Sequence, residues 1–211
     1  MNMRTHVTLA GLMGLMIWAL AVGGAASEAS TYAIVTFRPG WQLMANPVQA
    51  PDDSVGALFR APPMPEGLEL LSFEGGLFAT NVLATNDAGA LAWTAPAQVL
   101  DPGAGAFLFN ATNQAIQVTF TGDVLIGFET NAIPDGLSLK SGLQGAQGRL
   151  RTDMGLRLAA FDNVYQWRDG KFVVYTQLPD SSWFPSEPVI GLGEAFFINA
   201  SQATNWVTQF Q

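Results

Sequence analysis

Residues 93–120 read WTAPAQVLDPGAGAFLFNATNQAIQVTF, and residues 183–210 read WFPSEPVIGLGEAFFINASQATNWVTQF. At a constant offset of 90, Trp93 meets Trp183, Leu100 meets Ile190, and Gly103 meets Gly193. Phe107 then meets Phe197, Leu108 meets Ile198, and Phe120 meets Phe210, with no gap. Within the first copy, Phe107-Leu108-Phe109 predicts a buried strand. Ile116, Val118 and Phe120 alternate with Gln117, Thr119 and Thr121, which predicts a half-buried one. One β unit is written twice.

The repeat extends upstream. Glu74-Gly75-Gly76 separates two apolar runs, as Arg168-Asp169-Gly170 does 94 positions later; each predicts a tight hairpin turn. Phe37 to Leu43 matches Ile133 to Leu139 at an offset of 96. The offset falls along the unit, as expected when loops absorb deletions. Thr31–Phe37 predicts a strand. A second strand follows, with Trp41, Leu43 and Ala45 alternating against polar or flexible neighbours. Asp52 to Ser54 precede Val55–Phe59, a signal for one or two helical turns. Ser141–Gly148, with three glycines, predicts an exposed loop. Asn110 and Asn199 each open an N-x-S/T triplet, which predicts the same turn made twice.

A small antiparallel sheet with one apolar face cannot be buried alone. The expected fold is therefore all-β with little helix. Two tandem copies of a small antiparallel unit pack by pseudo-two-fold symmetry into a sandwich or barrel-like body. The boundaries read as 1–29, a signal peptide, 30–123, the first β repeat, and 124–211, the second.

The signal reading rests on Arg4 and His6, an uncharged run from Val7 to Val22, and the small residues Gly23 to Ala26. The alternative is a membrane anchor, but the run falls short of the ~20 residues a span needs. The reading after processing is therefore no stable membrane span. Ala26 or Ala29 would be the last residue removed. Removing 1–29 of the 211 residues leaves 182, enough to bury a core without a metal or disulfide. The chain has no cysteine, and its one histidine is His6. The processed chain has no thiol or imidazole, so Ser-His-Asp and Cys-His catalysis are excluded and no cofactor or metal site is expected. The net charge of −8 and pI near 4.4 argue against nucleic acid as a partner.

Trp41-Gln42-Leu43-Met44-Ala45-Asn46-Pro47, Gly127-Phe128-Glu129-Thr130-Asn131 to Leu139, the hairpin Gln166-Trp167-Arg168-Asp169-Gly170, and Gly193-Glu194-Ala195-Phe196-Phe197-Ile198 carry a resemblance. They resemble a family of uncharacterised secreted bacterial β-repeat proteins. Those share a G-x-x-L-x-A-N-P opening, a Trp just before the hairpin glycine, and a P-G-E-G-F-F-I closing strand. Leu192 and Ala195 depart from the proline and second glycine of that last motif. The resemblance implies a β architecture and a place outside the cytoplasm, and no activity.

Candidate ligand-binding residues follow from chemistry. Glu187 and Glu194, flanked by Trp183, would be the acid pair of a glycoside hydrolase if their carboxyls lay about 5 to 10 Å apart. Trp93 and Trp183 would stack on sugar if exposed; their equivalence in the repeat instead points to core. Trp167 and Trp206 match the apolar Phe73 and Ile116 and read as core too. Asp52-Asp53 and Asp162-Asn163 read as turn and cap residues before they read as calcium ligands. The favoured expectation is a non-catalytic secreted structural or cell-surface interaction protein, contacting protein or polysaccharide. A carbohydrate-binding module is the alternative, and a carboxylate-based glycoside hydrolase the third. N-terminal sequencing of secreted material should begin at Ser27 or Ser30. A chain starting at Met1 in a membrane fraction contradicts the signal reading.

Overall fold

The computed structural model describes residues 30–61 and 63–210, so the expected signal peptide lies outside the described residues. The first half runs β1 (Ser30–Phe37), β2 (Gly40–Met44), α1 (Val55–Leu58), β3 (Glu69–Glu74), β4 (Leu77–Thr85), β5 (Leu91–Trp93), β6 (Ala106–Asn110) and β7 (Ile116–Asp123). The second half runs β8 (Gly127–Ile133), β9 (Gly136–Ser141), β10 (Gly148–Arg149), β11 (Asn163–Arg168), β12 (Lys171–Gln177), β13 (Trp183–Phe184), β14 (Val189–Ile190), β15 (Ala195–Ala200) and β16 (Thr204–Phe210). Every named pairing is antiparallel. No helix among the described residues is long and apolar enough to cross a membrane.

The two halves share one strand order. β2-β6-β3-β4-β5 in the first sheet corresponds to β9-β15-β11-β12-β13 in the second. The ribbon β1·β7 corresponds to β8·β16. The Ser54–Val99 bridge stands where β10 pairs with β14. Both hairpin turns have two residues at positive φ, Gly75 and Gly76 (58° and 82°), then Asp169 and Gly170 (50° and 78°). That is the type I′ geometry the sequence signalled.

In each half the ribbon packs on one face of its sheet. Val35, Phe37 and Phe120 meet Met44, Leu70 and Leu108 in the first core. Ile133 and Trp206 meet Val164, Phe196 and Ile198 in the second. The opposite sheet faces meet each other through Leu43, Phe107, Leu139 and Phe197. This explains one departure from simple alternation: Leu43 and Met44 are both buried, because β2 has a core on each side.

The contacts between halves reciprocate. Phe107 and Phe197 face each other at 6.0 Å. Phe73 meets Phe197 edge-on at 5.2 Å, and its counterpart Trp167 meets Phe107 edge-on at 5.5 Å. The Ala45 amide donates to the Gly193 carbonyl at 2.9 Å, and the Ser141 amide donates to the Gly103 carbonyl at 3.0 Å. A Cβ at Gly193 would lie 2.6 Å from Val35 Cγ2, and one at Gly103 would lie 2.7 Å from Asn131 Nδ2. Residue i against j, with the equivalent of j against the equivalent of i, is the contact pattern a two-fold relation generates.

Two expectations are corrected. Ser141, Gly142 and Leu143 are buried, because the chain passes against Met154, leaving no space for a Cβ at Gly142. Asn110 is buried and bonds the Phe37 and Gln114 carbonyls and the Thr112 amide, whereas Asn199 is exposed. In the second half Asp162 receives the Ser201 amide instead, so the two triplets make different turns.

Phe107→Ala and Phe197→Ala should each cost about 3 to 5 kcal/mol. The double variant should lose less than the sum, by about 0.5 to 1.5 kcal/mol, because one truncation removes the other's partner ring. Chemical denaturation of the three variants checks this; strict additivity would mean the rings do not meet.

Candidate functional site

The tryptophans sort by position. Trp93 ends β5, is 6% exposed, and packs on Phe59 with ring centres 5.5 Å apart. Trp183 opens β13 opposite Gln177 and is 8% exposed. Trp206 is buried and donates its indole N–H to the Met154 carbonyl at 2.8 Å. All three are core, as their places in the repeat predict. Trp167 is half-buried in the contact between halves, and its indole N–H donates to the Trp41 carbonyl at 3.0 Å. Trp41 differs from the rest: at 38% it is the exposed tryptophan among the described residues.

The acids Glu187 and Glu194 are both held by protein groups. Glu187 Oε1 accepts from the Arg151 and Thr152 amides at 2.6 and 2.7 Å, and Oε2 accepts from the Thr152 hydroxyl at 2.7 Å. Partial burial pushes its pKa up. The Thr152 hydroxyl, the two amides and the Arg149 charge outweigh that, leaving it below the usual carboxylate range. Glu194 is ion-paired with Arg168 and accepts from Gln166 Nε2 at 3.2 Å and the Gly191 amide at 2.9 Å. Glu187 thus fixes the turn after β10, and Glu194 fixes the bend between β14 and β15.

The other acids weighed from sequence also bond locally. Asp52 accepts the Ser54 amide ahead of α1. Asp53 accepts from Asn46, Gln49 and the Ala50 amide, while burial pushes its pKa up. Asp162 accepts from the Ala159 and Ser201 amides. Among the described residues, no group of three or more acidic or histidine side chains converges as a metal site would require.

Two of the clefts lie where the halves meet. A cleft of about 590 Å³ is lined by the β1–β2 turn and β2 from one half. The tip of the β11–β12 hairpin and the Gly191–Glu194 bend line it from the other half. Trp41 stands on its wall with Phe109 4.8 Å away at a shallow 31° tilt, while Phe107 meets it edge-on. The indole is therefore braced by two rings where it lines the cleft. Around it are Arg38, Gln42, Asp169 and the Arg168–Glu194 pair. Gln42 is tied back to the Arg38 backbone, while Arg38 itself is exposed and forms no ion pair among the described residues.

The repeat provides a second cleft of about 560 Å³, lined by Phe73, Val99, Leu137 and Lys140 among others. Leu137 is the counterpart of Trp41, Phe73 of Trp167, and Pro134 of Arg38. Sequence reading nominated Trp93 and Trp183 and passed over Trp41. The available signal was the mismatch of Trp41 with Leu137, beside a glycine turn at a strand end.

No protein-family model matches this chain, and neither curated proteins nor solved structures give a match.

Glu187→Gln keeps the shape and removes the charge. Glu187 has a lowered folded pKa, so its stabilising effect is present above the unfolded pKa and is lost as pH falls through the folded value. At neutral pH the variant should be less stable by about 1 kcal/mol after solvent screening. Below the folded value, which lies under the usual carboxylate range, the two proteins should converge. Thermal melts at pH 7 and pH 3 test this, and a constant difference at both would contradict it.

Proposed function

We propose that this chain is a non-catalytic interaction protein that acts outside the cytoplasm, at a bacterial cell surface, and makes contact through the Trp41 cleft. The observation that carries the reading is the composition of that cleft. It presents a ring-braced, part-exposed tryptophan among polar groups, and its Glu194 carboxylate is already ion-paired and hydrogen-bonded. A general acid needs a carboxyl raised toward neutrality. Glu187, which lies outside that cleft, is shifted the other way by its hydrogen bonds and does not fit that role. The secreted and bacterial setting is supported by the signal-like N-terminus, the absence of cysteine, and the family motifs of Gly40–Pro47 and Gly193–Phe197.

Fluorescently labelled protein should bind cells of the producing organism saturably. Trp41→Ala should weaken this at least about tenfold, as truncation of a central aromatic anchor does. Phe128→Ala, at an exposed position on the second ribbon, should leave it unchanged. Bound protein should release no soluble fragments from the surface polymer. Equal binding by the Trp41→Ala variant, or steady release of fragments, would overturn the proposal.

A further inference from the structure

We infer that the Trp41 cleft takes a neutral saccharide, one ring stacked on the Trp41 indole and its hydroxyls bonded by the planar polar side chains beside it. This rests on the reading of that cleft as the contact site. The argument starts from the duplication. Both clefts have the same backbone, because both form where the β1–β2 or β8–β9 turn meets the hairpin tip of the other half. At the equivalent place the second cleft has Leu137, itself 48% exposed, beside the half-buried Phe73 that packs into the contact between halves. The Trp41 cleft holds Trp41, Arg38 and the Arg168–Glu194 pair where the other cleft holds Leu137, Pro134, Glu74 and Ala104.

Those differences give the Trp41 cleft a chemistry of its own. Leu137 gives way to an indole, and Pro134 and Ala104 to a guanidinium and a carboxylate, while the other cleft has its own charges at Glu74, Asp101 and Lys140. An indole face matches the C–H face of a pyranose ring. Vicinal hydroxyls donate and accept at once, so they suit a guanidinium beside a carboxylate. Arg168 and Glu194 already hold each other, and Gln42 is tied to the Arg38 backbone, so less side-chain freedom is lost on binding. The volume of about 590 Å³ falls within the range of about 300 to 1,000 Å³ that small-molecule sites occupy. Charge then selects among saccharides. The cleft has acids Asp169 and Glu194 against Arg38 and Arg168, and the chain carries −8 overall, so an acidic polymer is repelled and a neutral one is not.

The test is titration of the full chain with cellohexaose, N-acetylated chitohexaose, hexagalacturonate and decaproline, read by tryptophan fluorescence and calorimetry. At least one of the two neutral hexamers should bind saturably and shift the fluorescence, and hexagalacturonate should not bind. Trp41→Ala should weaken binding at least about tenfold, while Trp41→Phe, which keeps a stacking face, should stay within about threefold. Arg38→Ala, at an exposed turn position remote from both cores, should weaken binding with an unchanged melting temperature. Binding that survives Trp41→Ala, or no binding by either neutral hexamer, overturns the inference. Trp41-dependent binding of hexagalacturonate or decaproline alone would also overturn it while leaving the contact site in place. Loss of the Trp41 effect on whole cells would remove the site itself.

Discussion

The contact between the two five-stranded sheets is the constraint from which the rest follows. Each sheet covers one face with its own ribbon and leaves Phe107 and Leu43, or Phe197 and Leu139, on the other. An apolar face of that size is unstable in water. Duplication supplies the matching face on the same chain, so its effective concentration is high and no assembly partner is needed to bury it. The central strands are then covered on both sides. That is why β6 and β15 are nearly continuous apolar runs, while the ribbons β1 and β7 keep strict alternation.

Close approach of the halves depends on backbone as well as side chains. The amides of Ala45 and Ser141, at the ends of β2 and β9, find their acceptors in the opposite half, at Gly193 and Gly103. Without those acceptors two strand-edge amides would be shut away from water. Both glycines have positive φ, and both lie against a side chain of the other half, Val35 or Asn131. Any larger residue would be strained in itself and would push the halves apart. The repeat keeps Gly103 and Gly193 for this physical reason.

Much of this was legible in the sequence because local chemistry and global packing agree there. Gly75-Gly76 and Asp169-Gly170 demand left-handed backbone, and alternation in Ile116–Phe120 matches a ribbon with one wet face. Trp93 and Trp183 could be assigned to core because both copies keep them. Legibility failed where tertiary contact overrides local signal. The glycines after Ser141 look like an exposed loop, yet Gly142 is glycine because Met154 and Ala146 crowd it. Asn110 and Asn199 share a triplet, yet the shorter second copy moves the cap to Asp162, far away in sequence. Trp41 looked like any inward strand residue; only the fold shows that its strand begins at the rim of the contact, where inward-facing is no longer buried.

That failure and the proposed site have the same origin. In a chain that carries two copies of one unit, positions that packing requires are held alike, as Phe107 and Phe197 are. Positions that packing leaves free can diverge. Divergence at exposed turn residues is uninformative, since any polar residue serves there. Divergence from Leu137 to Trp41 is different. Trp41 leaves 38% of its surface in water, an unfavourable exposure of about 25 cal/mol for each Å² of apolar area. Phe109 and Phe107 hold that indole in one orientation, and Trp167 anchors the strand that carries it. Trp41 is thus rigid, part-exposed and set among polar groups. A ligand stacked at the proposed contact site would bury that remaining apolar surface, which is the physical ground for proposing binding there.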